Sequence, residues 1–138
     1  MQKPTEILFN KDGIVYHLNV HSDDLADNIL LVGDPGRVKL ISSMFSDIKK
    51  TISHREFLTA TGIYSGKPVT VISTGIGVDN IDIVINELQI AANYDSSEGN
   101  FVNNRTFNLI RLGTSGTMQS DIEPGSIVMT EYAIGIDG

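Results

Sequence analysis

The sequence contains no cysteine in its 138 residues. That absence excludes disulfide bonds, zinc sites built on thiolates and a cysteine nucleophile, and it is typical of a protein that works in the cytoplasm. The first residues also lack the basic segment and apolar run of a secretory signal. We therefore expect a cytoplasmic location.

Positive charge is scarce as well, because 10 Lys and Arg stand against 17 Asp and Glu, for a formal net charge of -7. Nucleic-acid backbones are bound mainly by clustered Lys and Arg, so no nucleic-acid partner is expected. No apolar run approaches the length of a membrane span, so no membrane partner is expected either. A few arginines in one pocket can still bind a small anion, which makes their positions more informative than the net charge.

The remaining composition is that of an ordinary folded domain, with 41% hydrophobic and 20% charged residues. The chain is long enough for one core, and we expect a single domain over residues 1–138. The continuous apolar run at 29–32 predicts a strand buried on both faces. A helix should follow, with Asp34 as its cap and Pro35 in its first turn. Its apolar face would comprise Val38, Ile41, Met44 and Phe45.

The patterns of the other segments predict further strands, turns and one strong helix. The helix has Asp79 placed to cap it and is followed by a polar loop at 93–105. Its apolar positions are Ile81, Val84, Ile85, Leu88, Ala91 and Ala92. The other expected elements are an extended segment (13–20), a hairpin (57–64 and 69–73, turn at 65–67), a strand (107–112), a turn (Pro124-Gly125) and a last strand (126–131). Together they predict an α/β fold with a mixed central sheet flanked by helices.

Three of the predicted strands are followed directly by glycine-rich loops, at 33–36, 75–77 and 113–116. In open α/β sheets, ligands bind beyond the carboxyl ends of the strands, and glycine lets backbone N–H groups approach an anion. Glycine in such turns also has a purely steric explanation, and both explanations stay open. Neither a Walker loop nor a complete dinucleotide fingerprint is present, so no nucleotide cofactor is indicated.

Two arginines lie next to these loops. Arg37 follows the first loop by one helical turn, and Arg111 lies in the strand that leads into the third. A guanidinium in a mostly apolar strand needs a partner, because an unpaired buried charge is costly. The partner is either a bound anion or a carboxylate such as Glu56 or Asp82 in a structural ion pair, and the residues alone leave both open.

The same residues resemble a known family. Residues 33–38 (Gly-Asp-Pro-Gly-Arg-Val) are similar to the Gly-Asp-Pro-x-Arg segment of the hexameric nucleoside phosphorylases. Residues 53–57, 73–77 and 111–116 resemble the uridine phosphorylase branch, and residues 16–18 (Tyr-His-Leu) match its N-terminal aromatic-His-Leu. The five motifs occur in family order and cover nearly the whole chain.

The resemblance implies a phosphate site. Four positions correspond to the ligands that one subunit supplies, namely Gly33, Arg37, Arg111 and Thr114. Arg55 corresponds to a phosphate-binding arginine donated by the neighbouring subunit. Phosphorolysis needs inorganic phosphate beneath C1′ of the sugar, and bidentate arginines would fix its position and orientation. Phosphate is then a co-substrate, and no cofactor or protein nucleophile is needed.

Further contacts follow from the same resemblance. His17 corresponds to a histidine that crosses the subunit interface toward the ribose 5′-hydroxyl, and Thr114 would also lie near the ribose. Three positions match those that hold a monovalent cation between subunits in some uridine phosphorylases, with asparagine in place of the usual serine at the third. They are Glu56, Ile76 and Asn80.

The implied activity is that of a nucleoside phosphorylase, a pentosyltransferase of nucleoside salvage that cleaves uridine to uracil and ribose 1-phosphate. A homodimer, or a hexamer built from dimers, is implied too. The family's base- and ribose-recognition residues belong to a second half, so residues 1–138 are expected to be an incomplete domain that is inactive alone. The alternatives are a related nucleosidase that uses water, against which Arg37 and Arg111 argue, and a non-catalytic fragment that binds phosphate or self-associates.

Overall fold

A computed structural model describes residues 7–135, and its centre is a five-stranded mixed sheet. The elements in chain order are β1 (Asn28–Val32), α1 (Pro35–Ser42), β2 (Asp47–His54), β3 (Phe57–Tyr64), β4 (Lys67–Ser73), α2 (Val78–Asn93), β5 (Tyr94–Asp95), β6 (Asn100–Phe101) and β7 (Asn108–Leu112). The strand order is β2-β3-β4-β1-β7. β1 runs parallel to β4 and β7, whereas β2, β3 and β4 are antiparallel. The predicted α/β class with a mixed sheet is confirmed.

The first helix, α1, begins as predicted and ends earlier. The Asp34 carboxylate accepts the backbone N–H two residues later at 2.8 Å, which caps the helix. The hydroxyls of Ser42 and Ser43 donate to carbonyls of the last turn, and such bonds compete with a continuing helix. Met44 and Phe45 therefore lie beyond the helix, contrary to the expected face. Met44 is exposed, and Phe45 packs against the second core cluster.

The predicted hairpin forms from β3 and β4. Its two turn residues, Ser65 and Gly66, have φ values of 48° and 76°, and this left-handed pair matches the twist of the strands. The sequence pattern does not predict β2, which pairs with β3 at the edge of the sheet. Most of its side chains are exposed, so it lacks the apolar alternation by which strands are identified.

The second helix, α2, covers one face of the sheet. Val84, Leu88 and Ile90 enter the larger core cluster together with Ile29 of β1. The predicted cap is wrong, because Asp79 lies inside the first turn and the capping position is held by a glycine with no side-chain bond. Among residues 7–135, no helix has the length and apolar character needed to cross a membrane.

Two other segments, one before α2 and one after it, differ from the structure that the sequence predicts. Residues 13–20 form turns with one isolated bridge between Phe9 and Val15, where an extended segment was expected. The N–H groups of His17 and Leu18 bond to a side chain of α2, so they are not available to a neighbouring strand. The polar stretch 93–105 contains the small hairpin β5–β6, although a loop was expected.

The expected last strand at 126–131 is absent from the described structure, in which that segment has no regular form. Its apolar residues are exposed, including Ile127 and Met129. A strand is stable only when it pairs along an edge or packs on a core, and in the described structure residues 126–131 do neither. The preceding turn at Pro124-Gly125 is present, closed by Ser126 N–H donating to the Glu123 carbonyl at 3.1 Å.

Candidate functional site

The carboxyl ends of β1, β4 and β7 lie side by side, because both neighbours of β1 run parallel to it. The register places Val32 beside Ser73 on one side and beside Leu112 on the other. The three glycine-rich loops therefore meet at one end of the sheet, around an open cavity of about 700 Å³. The site residues predicted from the sequence that line it are Gly33, Arg37, Glu56, Ile76, Asn80, Arg111 and Thr114.

Arg37 projects from the first turn of α1 into this cavity. Its Nη1 donates to the carbonyl of Leu112 at 3.1 Å, which ties the helix to the end of β7. A Cβ placed on Gly33 would lie 3.3 Å from Nη2, so a larger residue would crowd the guanidinium. The other guanidinium donors make no hydrogen bond within residues 7–135. They are available to an anion between the loops.

Arg111 lies on β7, at the edge of the described sheet, and it is exposed rather than buried as expected. Its neighbours Ile110 and Leu112 are exposed as well, because no further strand pairs with β7 in residues 7–135. The side chain folds back over the third loop, where a Cβ on Gly113 would come within 2.5 Å of its Nη1. Within that range Arg111 forms no ion pair, so the structural pairing with Glu56 or Asp82 does not occur there.

The three positions assigned to a cation share the same cavity. Glu56 follows β2, and Ile76 and Asn80 belong to the loop before α2 and its first turn. Together they offer a carboxylate, a backbone carbonyl and an amide oxygen, which are the hard donors that such an ion prefers. Three donors leave its coordination incomplete, so a cation here would need oxygens from elsewhere. In residues 7–135, no group of three or more His, Asp or Glu is placed to hold a metal.

Arg55 and His17 do not line this cavity. Arg55 has a φ of 53°, and its Nη2 donates to the Tyr16 hydroxyl at 2.8 Å, with the guanidinium 4.8 Å from the centre of the Tyr16 ring. His17 lines a second cavity of about 410 Å³ beside α2, with Asp82 and Asn86. One chain thus brings together the four phosphate positions that the resemblance assigned to one subunit, and leaves these two residues apart.

Sequence reasoning did not identify Glu87 of α2. Its side chain is buried, and the carboxylate accepts the N–H of His17 at 2.9 and 3.0 Å, the N–H of Leu18 at 2.7 Å and His17 Nδ1 at 2.7 Å. The helical pattern of the sequence did contain a signal that Glu87 is unusual. Glu87 lies three residues after Val84 and one before Leu88, on the face that should be apolar, and a carboxylate there needs partners.

Comparisons with known proteins identify the family to which the sequence is similar. The family described as "Phosphorylase superfamily" matches residues 28–138. The uridine phosphorylase of Thermococcus kodakarensis is 36% identical over 128 residues, which cover 93% of this chain and 42% of that protein. The uridine phosphorylase of Escherichia coli is 36% identical over 127 residues, covering 90% and 45%. A DeoD-type purine nucleoside phosphorylase of Listeria welshimeri is also 36% identical, over 118 residues, covering 85% and 46%.

Solved structures show the same likeness. A Trypanosoma brucei nucleoside phosphorylase, described as showing uridine phosphorylase activity, superposes with a TM-score of 0.77 at 43% identity, covering 86% of this chain and 42% of that one. A uridine phosphorylase of Phytophthora capsici gives a TM-score of 0.70 at 32% identity, covering 84% and 36%. The chain spans less than half the length of these relatives. Its family match and its structural likeness show that it belongs to the phosphorylase superfamily.

Proposed function

We propose that this chain carries the phosphate-binding side of a nucleoside phosphorylase, which uses inorganic phosphate to cleave uridine to uracil and ribose 1-phosphate. One observation carries the proposal. Two guanidinium groups, those of Arg37 and Arg111, converge on glycine-rich loops at the carboxyl ends of three parallel strands, and within residues 7–135 neither is paired with a carboxylate. Such an arrangement is more typical of a binding site for a small dianion than of a structural ion pair.

The chemistry assigned to these residues is positioning and charge stabilisation. Arg37 and Arg111 would hold the phosphate by charge-assisted hydrogen bonds beneath C1′ of the ribose. The backbone at Gly33 and the hydroxyl of Thr114 would complete the set, with Thr114 also near the sugar. As the glycosidic bond breaks, the bound phosphate stabilises the developing positive charge of the sugar and then bonds to C1′.

The remaining residues would act between subunits. We propose a homodimer, or a hexamer built from dimers, in which Arg55 reaches the phosphate and His17 the ribose 5′-hydroxyl of the neighbouring site. The position of both residues outside the cavity of their own chain supports this assignment. The oxygens of Glu56, Ile76 and Asn80 would contribute to a monovalent cation at the same interface.

The test of the phosphate site is calorimetric titration of inorganic phosphate into the 138-residue chain and its variants. Arg37→Ala should weaken phosphate binding about 10- to 100-fold, because it removes a charged pair of donors. Lys39→Ala is the matched control, since it removes an equal charge from an exposed position on the same helix. Equal affinity of the two variants would contradict the site assignment.

Catalysis is tested by uracil release from uridine with and without phosphate. Release that depends on phosphate supports the phosphorylase, whereas equal release without it would indicate the nucleosidase alternative. Phosphate binding with no release is the result expected of the 138-residue chain alone, and it fits both an incomplete phosphorylase and the alternative of a phosphate-binding fragment. It would not contradict the proposed site.

A further inference from the structure

A buried carboxylate ties down the segment that carries His17. Glu87 is 6% exposed, and all its described bonds go to two consecutive residues, His17 and Leu18. Two backbone N–H groups would be enough to hold the segment. The additional bond to His17 Nδ1, at 2.7 Å, acts on the imidazole itself.

This contact determines which ring nitrogen carries the proton. A carboxylate can only accept hydrogen bonds, so Nδ1 of His17 must be the donor toward Glu87. In the neutral imidazole the other nitrogen, Nε2, then has a free lone pair and can accept a hydrogen bond. Nε2 makes no hydrogen bond within residues 7–135, and His17 lines the cavity beside Asp82 and Asn86.

Other contacts restrict the position of the ring. The edge of His17 meets the Tyr16 ring at 5.1 Å between centroids, with the two planes at 89°. The backbone carbonyl of His17 bonds to Nδ1 of His54 at 2.9 Å, which links the segment to the end of β2. The ring is thus held by Glu87 of α2 and by Tyr16, and the backbone of His17 is held by the end of β2.

We propose that Glu87 is a positioning residue for His17. It selects the Nδ1–H tautomer and holds the ring so that Nε2 accepts a hydrogen bond from a hydroxyl group of the ligand. That this hydroxyl belongs to the ribose of a nucleoside rests on the proposed function, whereas the tautomer does not. This arrangement follows the general pattern in which an acidic partner fixes the tautomer and direction of a functional histidine.

The direct test is the tautomer of His17, read from the nitrogen chemical shifts and two-bond proton–nitrogen couplings of the 15N-labelled chain at a pH where imidazoles are neutral. The chain has three histidines, and His17→Gln identifies the His17 signals by their loss. We expect a pyrrole-like Nδ1 and a pyridine-like Nε2 in the wild-type chain. The opposite tautomer in the wild-type chain would overturn the proposal.

Glu87→Gln sharpens the result, because one amide oxygen cannot serve all three donors of His17 and Leu18. The Nδ1–H preference should be lost in this variant and kept in Asp82→Asn, a matched carboxylate change in the same cavity. A tautomer unchanged in a folded Glu87→Gln chain would reduce Glu87 to a structural role. Phosphate titration does not involve this pair, so failure here and failure of the phosphate site are separate outcomes.

Discussion

The two ends of the parallel strands β1 and β7 both carry arginine, and they use it differently. At the amino end, all three nitrogens of the Arg105 guanidinium donate hydrogen bonds to the chain itself. Nε donates to Asp27 at 2.8 Å, Nη1 to the carbonyl and hydroxyl of Ser22 at 2.6 and 3.0 Å, and Nη2 to the carbonyl of Leu25 at 2.6 Å. The group also lies 5.0 Å from the centre of the Phe107 ring.

At the carboxyl end, the arginines have few partners in the described structure. Arg37 donates once, to the carbonyl of Leu112, and Arg111 makes no hydrogen bond within residues 7–135. The same side chain therefore stabilises the fold at one end of the sheet and remains available to a ligand at the other. The two ends differ in the acceptors that the described chain offers to a guanidinium. Two carbonyls, a hydroxyl and a carboxylate accept from Arg105, whereas only the carbonyl of Leu112 accepts from Arg37.

The largest effect is expected at the amino end. Arg105→Ala should lower the free energy of unfolding by about 2–3 kcal/mol, because the half-buried carbonyl of Leu25 loses its donor, the carbonyl of Ser22 keeps only the Leu25 N–H, and the ion pair with Asp27 is lost. Urea denaturation measures this change. A loss below about 0.5 kcal/mol would show that the two ends do not differ in the way described. Phosphate affinity, measured under conditions where the variant is folded, should be unchanged.

The carboxyl end should respond in binding rather than in stability. In Gly113→Ala the new methyl group would displace the Arg111 guanidinium, and we expect phosphate affinity to fall about three- to tenfold with no change in charge. The free energy of unfolding should stay within about 0.5 kcal/mol. Gly116→Ala is the matched control, because a methyl group there meets no atom within 4 Å. Equal phosphate affinity of the two variants would contradict the assigned position of Arg111.

The smallest effect concerns pH. Burial tends to raise the pKa of Asp24, but the hydrogen bond from the His21 N–H and the Lys50 ammonium at 3.1 Å outweigh it, and the pKa lies below its usual value of 3.8. The unfolded state therefore binds more protons near that pH. The contribution of this carboxylate to stability is present above about pH 4 and is lost as the pH falls through the lowered pKa.

Asp24→Asn removes that dependence. Urea denaturation between pH 5 and the acid limit of folding should show the wild-type chain losing stability more steeply than the variant. Parallel profiles would mean that the pair with Lys50 is too well solvated to contribute, as is common for exposed ion pairs.

The fold class and the candidate site were largely predictable from local patterns. The apolar run at 29–32, the Asp34 cap and the hairpin around residues 65–67 each contain their own signal, because buried strands, caps and tight turns select residues by short-range sterics and hydrogen bonding. Glycine after three strands predicted where the loops would meet, since parallel strands end at the same side of a sheet. The residues of the phosphate site are themselves a prediction that the proposed experiments test.

By itself the sequence determined that apolar strands, helices and glycine-rich loops form an α/β fold, and that Arg37 and Arg111 lie next to two of those loops. Only the tertiary structure decided how partners are shared. It paired the polar edge strand β2 and left residues 126–131 without a partner in the described structure. It brought the Glu87 carboxylate to His17 across 70 residues, and satisfied Arg105 with carbonyls about 80 residues away. The helical pattern shows that the Glu87 carboxylate needs partners, but no pattern in the sequence identifies them, because a hydrogen bond depends on where two groups meet in space and not on their separation along the chain.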